Sequence, residues 1–504
     1  MVLSALPGVS ERMAKKMTEH FGSEEAVVST LESGDVGRLA EVDGLSVKRA
    51  LSLARSFAGD AGQFLATKEA VRLHQQLLGH LQSFAACAAS RERMSLLTPI
   101  AQPERRQEYV RAAMDLSNEW LLQQQQAWAS LTRLRDVNER YERVVVSQEP
   151  MDELKKYCRV LQPGENETWK DYTVFKTVTW VGKGAPMEAP DGWLVLGETA
   201  EPALLIPERT IDWFNINRKT LNTVCTLIDE FNQGDYAVNH ALSDLAKSLD
   251  ELAELPQALD ALGDGSKIEE VERIKDNLWK EAKRLETEVN NEVEQAMNDA
   301  KMALSGAELL EALADGAAFQ RKLKEATGHV IQEAMQRARD QLAEFLEPAG
   351  MRCPYEIFTK AWPAKIDRQT IDGIDGTLES KLKAEQTEHL VNLARLLGPM
   401  KSRCERAVQR MIECDQWLAI ARWAHHDSCV MPELVDHGIW LEEGRHILLG
   451  VTPDPVTYGL GKAAKKGDKQ TLALLTGANS GGKTTLLECL AYASILAHMG
   501  LPVP

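Results

Sequence analysis

The residues of this chain best suited to reactive chemistry lie near its end, in Gly477-Ala478-Asn479-Ser480-Gly481-Gly482-Lys483-Thr484-Thr485. Glycines at 477, 481 and 482 let the backbone curl until successive N–H groups point into one concavity, which suits phosphate oxygens. Lys483 supplies a point charge for β and γ phosphates, and the Thr484 hydroxyl is the natural ligand for Mg²⁺. The G-x-x-x-x-G-K-[ST] spacing therefore predicts a site for ATP and Mg²⁺ over Gly477 to Thr485.

A loop of this kind needs a strand before it and a helix after it. Leu472-Ala-Leu-Leu-Thr476 is short and apolar enough for a buried strand, and Leu486 to Ala497 has helical period. The helix N-terminus adds its partial positive charge where phosphate would sit.

Composition bounds the rest. A chain of 504 residues holds roughly three or four domains and can bury a sizeable core. Charged residues make up 26%, mean hydropathy is −0.29 and no run of about 18 apolar residues occurs, so no membrane span is expected. The first residues have no basic segment ahead of their apolar ones and do not resemble a secretory signal. Eight scattered cysteines with no C-x-x-C pair predict reduced thiols in a cytoplasm, without a disulfide framework or zinc. The net charge of −17 opposes nucleic acid overall, so any DNA contact must come from local basic patches and backbone amides.

Residues 1–60 carry a weak repeat. Leu6-Pro-Gly8-Val9-Ser10 and Val42-Asp-Gly44-Leu-Ser46 each precede a helix-period run, the pattern of tandem helix-hairpin-helix units. Their hairpin amides at Gly8, Val9, Ser10, Gly44 and Ser46, with Arg12, Lys15, Lys16, Lys48 and Arg49 following, are candidate contacts to DNA phosphates. The many acidic residues in the same stretch leave a helical protein-interaction module as the alternative.

Residues 61–146 read as a helical connector rich in glutamine, alanine and leucine. Residues 147–210 read as a small β-rich module: Tyr172 to Val181 alternates, and Trp193–Leu196 and Ala203–Ile206 are short apolar runs. Residues 211–425 read as lever helices and an antiparallel coiled-coil arm. Its first helix carries Ile268, Val271, Leu278, Ala282, Leu285 and Val289 on a seven-residue seam interrupted at Lys275, and a break follows at Leu310 to Gly316. Helix resumes near Leu378 with a kink at Gly398-Pro399. Adjacent His425 and His426 point to different helix faces, so with Asp427 they read as a polar helix end and not a metal site. Residues 426–504 read as part of an α/β P-loop ATPase domain.

The order of parts, with a long helical arm ahead of the P-loop, together with Glu443-Gly-Arg-His446 upstream and Ile495-Leu-Ala-His-Met-Gly-Leu-Pro-Val-Pro504 downstream, resembles the MutS family. The likeness covers about the last ninety residues by motif and the helical middle by layout. It implies a multidomain, mainly α protein in which lever helices and a coiled-coil clamp encircle duplex DNA above paired ABC-type ATPase domains. It also implies ATP and Mg²⁺ at Gly477 to Thr485, with Thr484 on the metal, Asn479 matching the family's loop asparagine and Tyr458 as the candidate adenine-stacking aromatic. Ser480 and Thr484 stand where the family usually has methionine and serine. The partners so implied are double-stranded or branched DNA and a second copy of the chain, joined through a complete ATPase domain, with no membrane.

Two departures qualify the likeness. No Phe-x-Glu wedge stands in the N-terminal region, so a preference for DNA shape or junctions is expected in place of mismatch reading. Only 27 residues follow Gly477, which leaves out the acidic strand, the signature loop and the dimerising region; the sequence reads as a fragment expected to hydrolyse ATP negligibly alone. The rival expectation is a non-catalytic DNA- or protein-binding scaffold with an incomplete ATPase domain.

Overall fold

The computed structural model describes residues 9–32, 39–57, 65–99, 103–234, 236–263, 265–302, 316–359, 363–449, 454–461, 472–477 and 482–504. In chain order, the elements used below are α1 (Glu11–Phe21), α2 (Glu24–Glu32), α3 (Val47–Phe57), α4 (Lys68–Gln82), β1 (Val144–Ser147), β2 (Arg159–Leu161), β3 (Val178–Val181) and β4 (Trp193–Leu196). They continue with α5 (Ser266–Met302), α6 (Gly316–Leu346), α7 (Arg368–Leu397), α8 (Lys401–His426), β5 (Ile439–Gly444), β6 (Val456–Leu460) and α9 (Lys483–His498). The chain is mainly helical, with one parallel and one antiparallel sheet among the described residues. No helix among them is long and apolar enough to cross a membrane. None of the eight cysteines, all of which are described, is in a disulfide.

Two compact units form, each gathered from separated stretches of sequence. The first comprises Met1–Asp136, Trp213–Pro256 and Pro399–Pro504. Its spine is α8, where Leu418, Ala419, Ile420, Ala421 and Trp423 are all buried because neighbouring helices surround it on every side. On α4, Leu73, Leu77 and Leu81 recur every four residues and form one apolar stripe. That stripe joins Ile420 and Trp423 of α8 and Tyr492 and Leu496 of α9 in a single core. Each such leucine contributes about 1.5–3 kcal/mol by leaving water, which fixes the second half of α9 against α4 and α8. A separate small core joins Met17, Val27, Leu31, Leu45 and Leu53 of the N-terminal helices.

The second unit comprises Val137–Asp212 and Gln257–Gly398. Its sheet is wholly parallel, in the order β2-β1-β3-β4, with Val144 beside both Arg159 and Val178. Both faces are covered: Val144, Val146, Trp180 and Trp193 pack on one side, and Val145, Tyr157, Val181 and Ile206 on the other. Every residue of β3 is therefore buried, and the alternation expected over Tyr172 to Val181 yields a strand only over Val178–Val181. Trp169–Tyr172 is a 3₁₀ turn. Ala203–Ile206 is likewise no strand; Pro202 opens a short helix, Pro202–Leu205, whose leucines are buried.

The arm of this unit pairs α5 with α6, and their direction follows from cross-contacts: Arg284 meets Gln341 at 3.1 Å while Arg337 pairs with Glu292 further along, so the helices run opposite ways. The seven-residue seam does not hold. Val271, Ile274, Leu278, Ala282, Leu285, Val289 and Val293 are buried with steps of three, four and four, an eleven-residue repeat in which Ile274 fills the supposed gap at Lys275. A third helix, α7, lies on α5 as well through Ile371, Ile374, Leu378 and Leu382, and it starts ten residues before the expected Leu378. The expected break lies outside the described residues except for Gly316, which opens α6.

Candidate nucleotide site

β5 and β6 pair antiparallel, Leu441 opposite Tyr458, with an irregularity before Gly444. There Glu443 takes a positive φ of 51° and its N–H donates to the Thr457 hydroxyl at 3.1 Å. The irregular end of β5 delivers Arg445 and His446 to the flank of α9.

The apolar run at 472–477 forms no strand, and it is not buried: Leu472 is 84% and Leu474 88% exposed. An apolar run becomes a central strand only where neighbours supply its backbone partners and cover both faces. Among the described residues no strand flanks it.

The turn into α9 carries the expected glycine geometry. Gly482 has a φ of 72° at the N-cap and Gly477 a φ of 149°, both unfavourable for residues with a Cβ. No atom crowds either position, so conformation and not space calls for glycine. Lys483 folds back and donates from Nζ to the Gly477 carbonyl. Ala478, Asn479, Ser480 and Gly481 lie outside the described residues.

A cavity of about 340 Å³ opens at this turn, walled by Gly482, Lys483, Thr485 and Leu486 on one side and by His446, Asp454 and Val456 on the other. Thr484 is exposed and not part of the wall. Tyr458 is half-buried on β6 and also outside the lining; Val456, two residues earlier on the same strand face, occupies the wall instead.

Behind the cavity runs a polar network that sequence reasoning did not find. The Leu448 N–H donates to His446 Nδ1 at 3.3 Å, leaving Nε2 as the donor to Glu488 Oε2 at 3.4 Å. The other Glu488 oxygen accepts from Arg72 of α4 at 3.0 Å. Arg72 also donates to Glu69 at 3.0 Å and to Gln76 at 2.9 Å, and its hydrogen bond holds the Glu69 carboxyl below the usual range. The Tyr492 ring meets His446 edge-on at 5.2 Å and its hydroxyl donates to Gln76 at 3.2 Å. Cys489, on the same wall, donates to the Arg445 carbonyl at 3.4 Å, and burial pushes its thiol up.

These residues fit a polyphosphate. A helix N-terminus, a lysine at its first position and a left-handed glycine cap all favour an anion. No cluster of three or more His, Cys, Asp or Glu suited to a metal occurs among the described residues, and a Mg²⁺ there would depend on the bound phosphates and the Thr484 hydroxyl. At the other candidate, His426 and Trp423 both bond Asp427, at 2.6 and 2.7 Å, closing the end of α8.

At the N-terminus, Ser10 caps α1 by accepting the Met13 N–H at 3.3 Å, and Gly44 takes a φ of 86° in the second hairpin. Val9 is buried, while Ser10, Arg12, Lys15, Ser46, Lys48 and Arg49 are exposed. Lys16 differs: it bonds Asp43 at 2.6 Å, fastening the first helix to the second hairpin and drawing the Asp43 carboxyl below its usual range. Gly8 lies outside the described residues.

No family profile matches the chain. It is 28% identical over 228 residues to the DNA-binding protein MutS2 of Pyrococcus furiosus, covering 44% of this chain and 39% of that protein. It is 25% identical over 158 residues to the DNA mismatch repair protein MutS of Desulfovibrio desulfuricans, covering 30% of this chain and 17% of that one. A third relative, MutS of Oleidesulfovibrio alaskensis, is 30% identical over 129 residues, 25% of this chain and 13% of that protein. The matches thus span at most 39% of the length of these curated relatives. With the glycine-rich turn ahead of α9 and the helical arm, they relate the chain to the MutS family.

Proposed function

We propose that the chain is a nucleotide-controlled DNA clamp protein of the MutS-related type, acting in repair or recombination. Lys483 folded onto Gly477 at the cap of α9 carries this reading, because a lysine held over a glycine turn at a helix N-terminus suits phosphate oxygens. An entering phosphate would take the Lys483 ammonium from the Gly477 carbonyl and accept the first amides of α9. Bound Mg²⁺ would neutralise phosphate charge, with Thr484 as its protein ligand.

Turnover by this chain should be negligible. Asp454 is the one carboxylate lining the cavity among the described residues, and His446 is committed through both ring nitrogens, so that lining offers no second carboxylate or open imidazole to orient water with it. Hydrolysis would belong to a cytoplasmic homodimer.

DNA contact would come from the hairpins. The hairpin turns ahead of α1 and α3, with Arg12, Lys15, Lys48 and Arg49 exposed beside them, suit backbone phosphates of duplex or branched DNA. The names of the relatives, a DNA-binding protein and two DNA mismatch repair proteins, support this half. The scaffold reading is favoured by one observation, the exposed Leu472–Leu475 segment, which pairs with no strand among the described residues where an ATPase domain needs one.

Band shifts of a four-way junction and a linear duplex across a salt series test the proposal. Binding that weakens steeply with salt and changes on adding Mg-ATP supports the clamp. Indifference to both DNAs at low salt favours the scaffold.

A further inference from the structure

We propose that Glu488 is a positioning residue for the nucleotide site, holding the His446 wall against α9 and tying both to Arg72 on α4. The inference rests on the nucleotide reading above and goes beyond it by assigning control of the site to a helix near the other end of the chain.

Glu488 lies three residues after Thr485, one turn further along the helix face that walls the cavity. Its two oxygens are divided, one to His446 and one to Arg72. The imidazole is 7% exposed, fixed at both nitrogens and met edge-on by Tyr492. It therefore serves as a shaped surface and not as a proton carrier. Arg72 spreads its guanidinium over Glu69, Gln76 and Glu488, so α4 grips α9 at the level of the cavity wall. Tyr492 returns to Gln76 and closes the circuit between the same two helices.

A phosphate that engages Lys483 and the first turn of α9 acts on the element carrying Glu488. Any rotation of that turn must be met by His446 on one side and by α4 on the other, since a carboxylate bonded at both oxygens cannot move without straining both bonds. Glutamine at 488 keeps the size but removes the charge and replaces one carboxylate oxygen by an NH2 group that only donates, so His446 and Arg72, each now bonded to its own oxygen, cannot both keep an acceptor in place.

The test uses the whole chain, a fluorescent Mg-ATP analogue and hydrogen exchange of Lys68–Gln82. In the wild type, Mg-ATP should slow exchange along α4. Glu488→Gln and Arg72→Ala should each weaken nucleotide binding about fivefold and erase the response of α4. The double variant should be no weaker than either single one. Arg72→Lys, which keeps the charge, should recover most of the affinity, a rescue that loss of structure would not give. A wild type that binds nucleotide without any change in α4, single variants that bind like wild type, or additive losses would each overturn the proposal. A wild type with no affinity for Mg-ATP would overturn the nucleotide reading and this inference with it.

Discussion

Arg422 and Asp415, two turns apart on α8, form an ion pair at 2.8 Å with side chains 1% and 0% exposed. The pair is also bonded from outside the helix: Asp415 accepts the Ala86 N–H at 3.0 Å, and Arg422 donates to the Leu121 and Phe84 carbonyls at 2.9 and 3.0 Å, while its Nη2 is buried without a partner among the described residues. It thereby fixes the segments after α4 to the spine that supports α9. Asp415→Ala strands a buried guanidinium and should cost about 3–5 kcal/mol in urea unfolding. A loss below about 1 kcal/mol would mean that water reaches the site.

In the second unit, Arg143, 3% exposed, forks onto both oxygens of Glu208 at 2.9 Å and reaches the Val178 carbonyl at 3.3 Å. The fork is what lysine cannot reproduce. Arg143→Lys should destabilise the parallel sheet by about 2 kcal/mol and Arg143→Ala by about 3 kcal/mol, read from denaturant midpoints. Equal, small losses would show the fork to be unimportant.

Leu285 is fully buried on the α5 seam. Leu285→Ala should cost about 2–5 kcal/mol, and Ile274→Lys should be at least as damaging because it puts a charge where the eleven-residue pattern demands core. Lys275→Ile should be nearly neutral. If instead Lys275→Ile stabilises and Ile274→Lys is tolerated, the seven-residue seam is the right description.

Burial pushes the His80 imidazole below its ordinary value of 6.5, while the carboxylate of Asp427 works in the opposite direction and His426 adds to the lowering. A histidine lowered in the folded state binds fewer protons there than in the unfolded chain. Its contribution to stability is therefore complete above 6.5 and is lost as pH falls from there through the folded value. Thermal melting from pH 7.5 to 5 should show a decline that His80→Gln flattens. An unchanged slope in that variant would assign the decline to other groups.

What was legible in the sequence was local. Glycines, a lysine and a threonine at fixed offsets suggest a phosphate-binding turn because that chemistry needs only neighbours; the structure shows the positive φ of Gly482 and the fold-back of Lys483, and phosphate binding is the proposal built on them. Leu472 to Thr476 was misread because a strand is a property of its partners. The α5 seam was half legible: the apolar positions were seen, but a seven-residue template turned Ile274 into a gap. Ala203–Ile206 has the composition of a strand, and only Pro202 signals the helix. Arg72 gave no signal, since nothing in its surroundings points to a glutamate 416 residues away.

The most direct measurement is a titration of the purified chain and of its Lys483→Ala variant with a fluorescent Mg-ATP analogue. Wild-type protein should bind saturably, and loss of the ammonium, a charge-assisted donor worth about 2 kcal/mol, should weaken binding at least tenfold with the fold intact. No saturable binding by the wild type, or equal affinity in the two proteins, would contradict the assignment of a nucleotide site to the turn between Gly477 and α9.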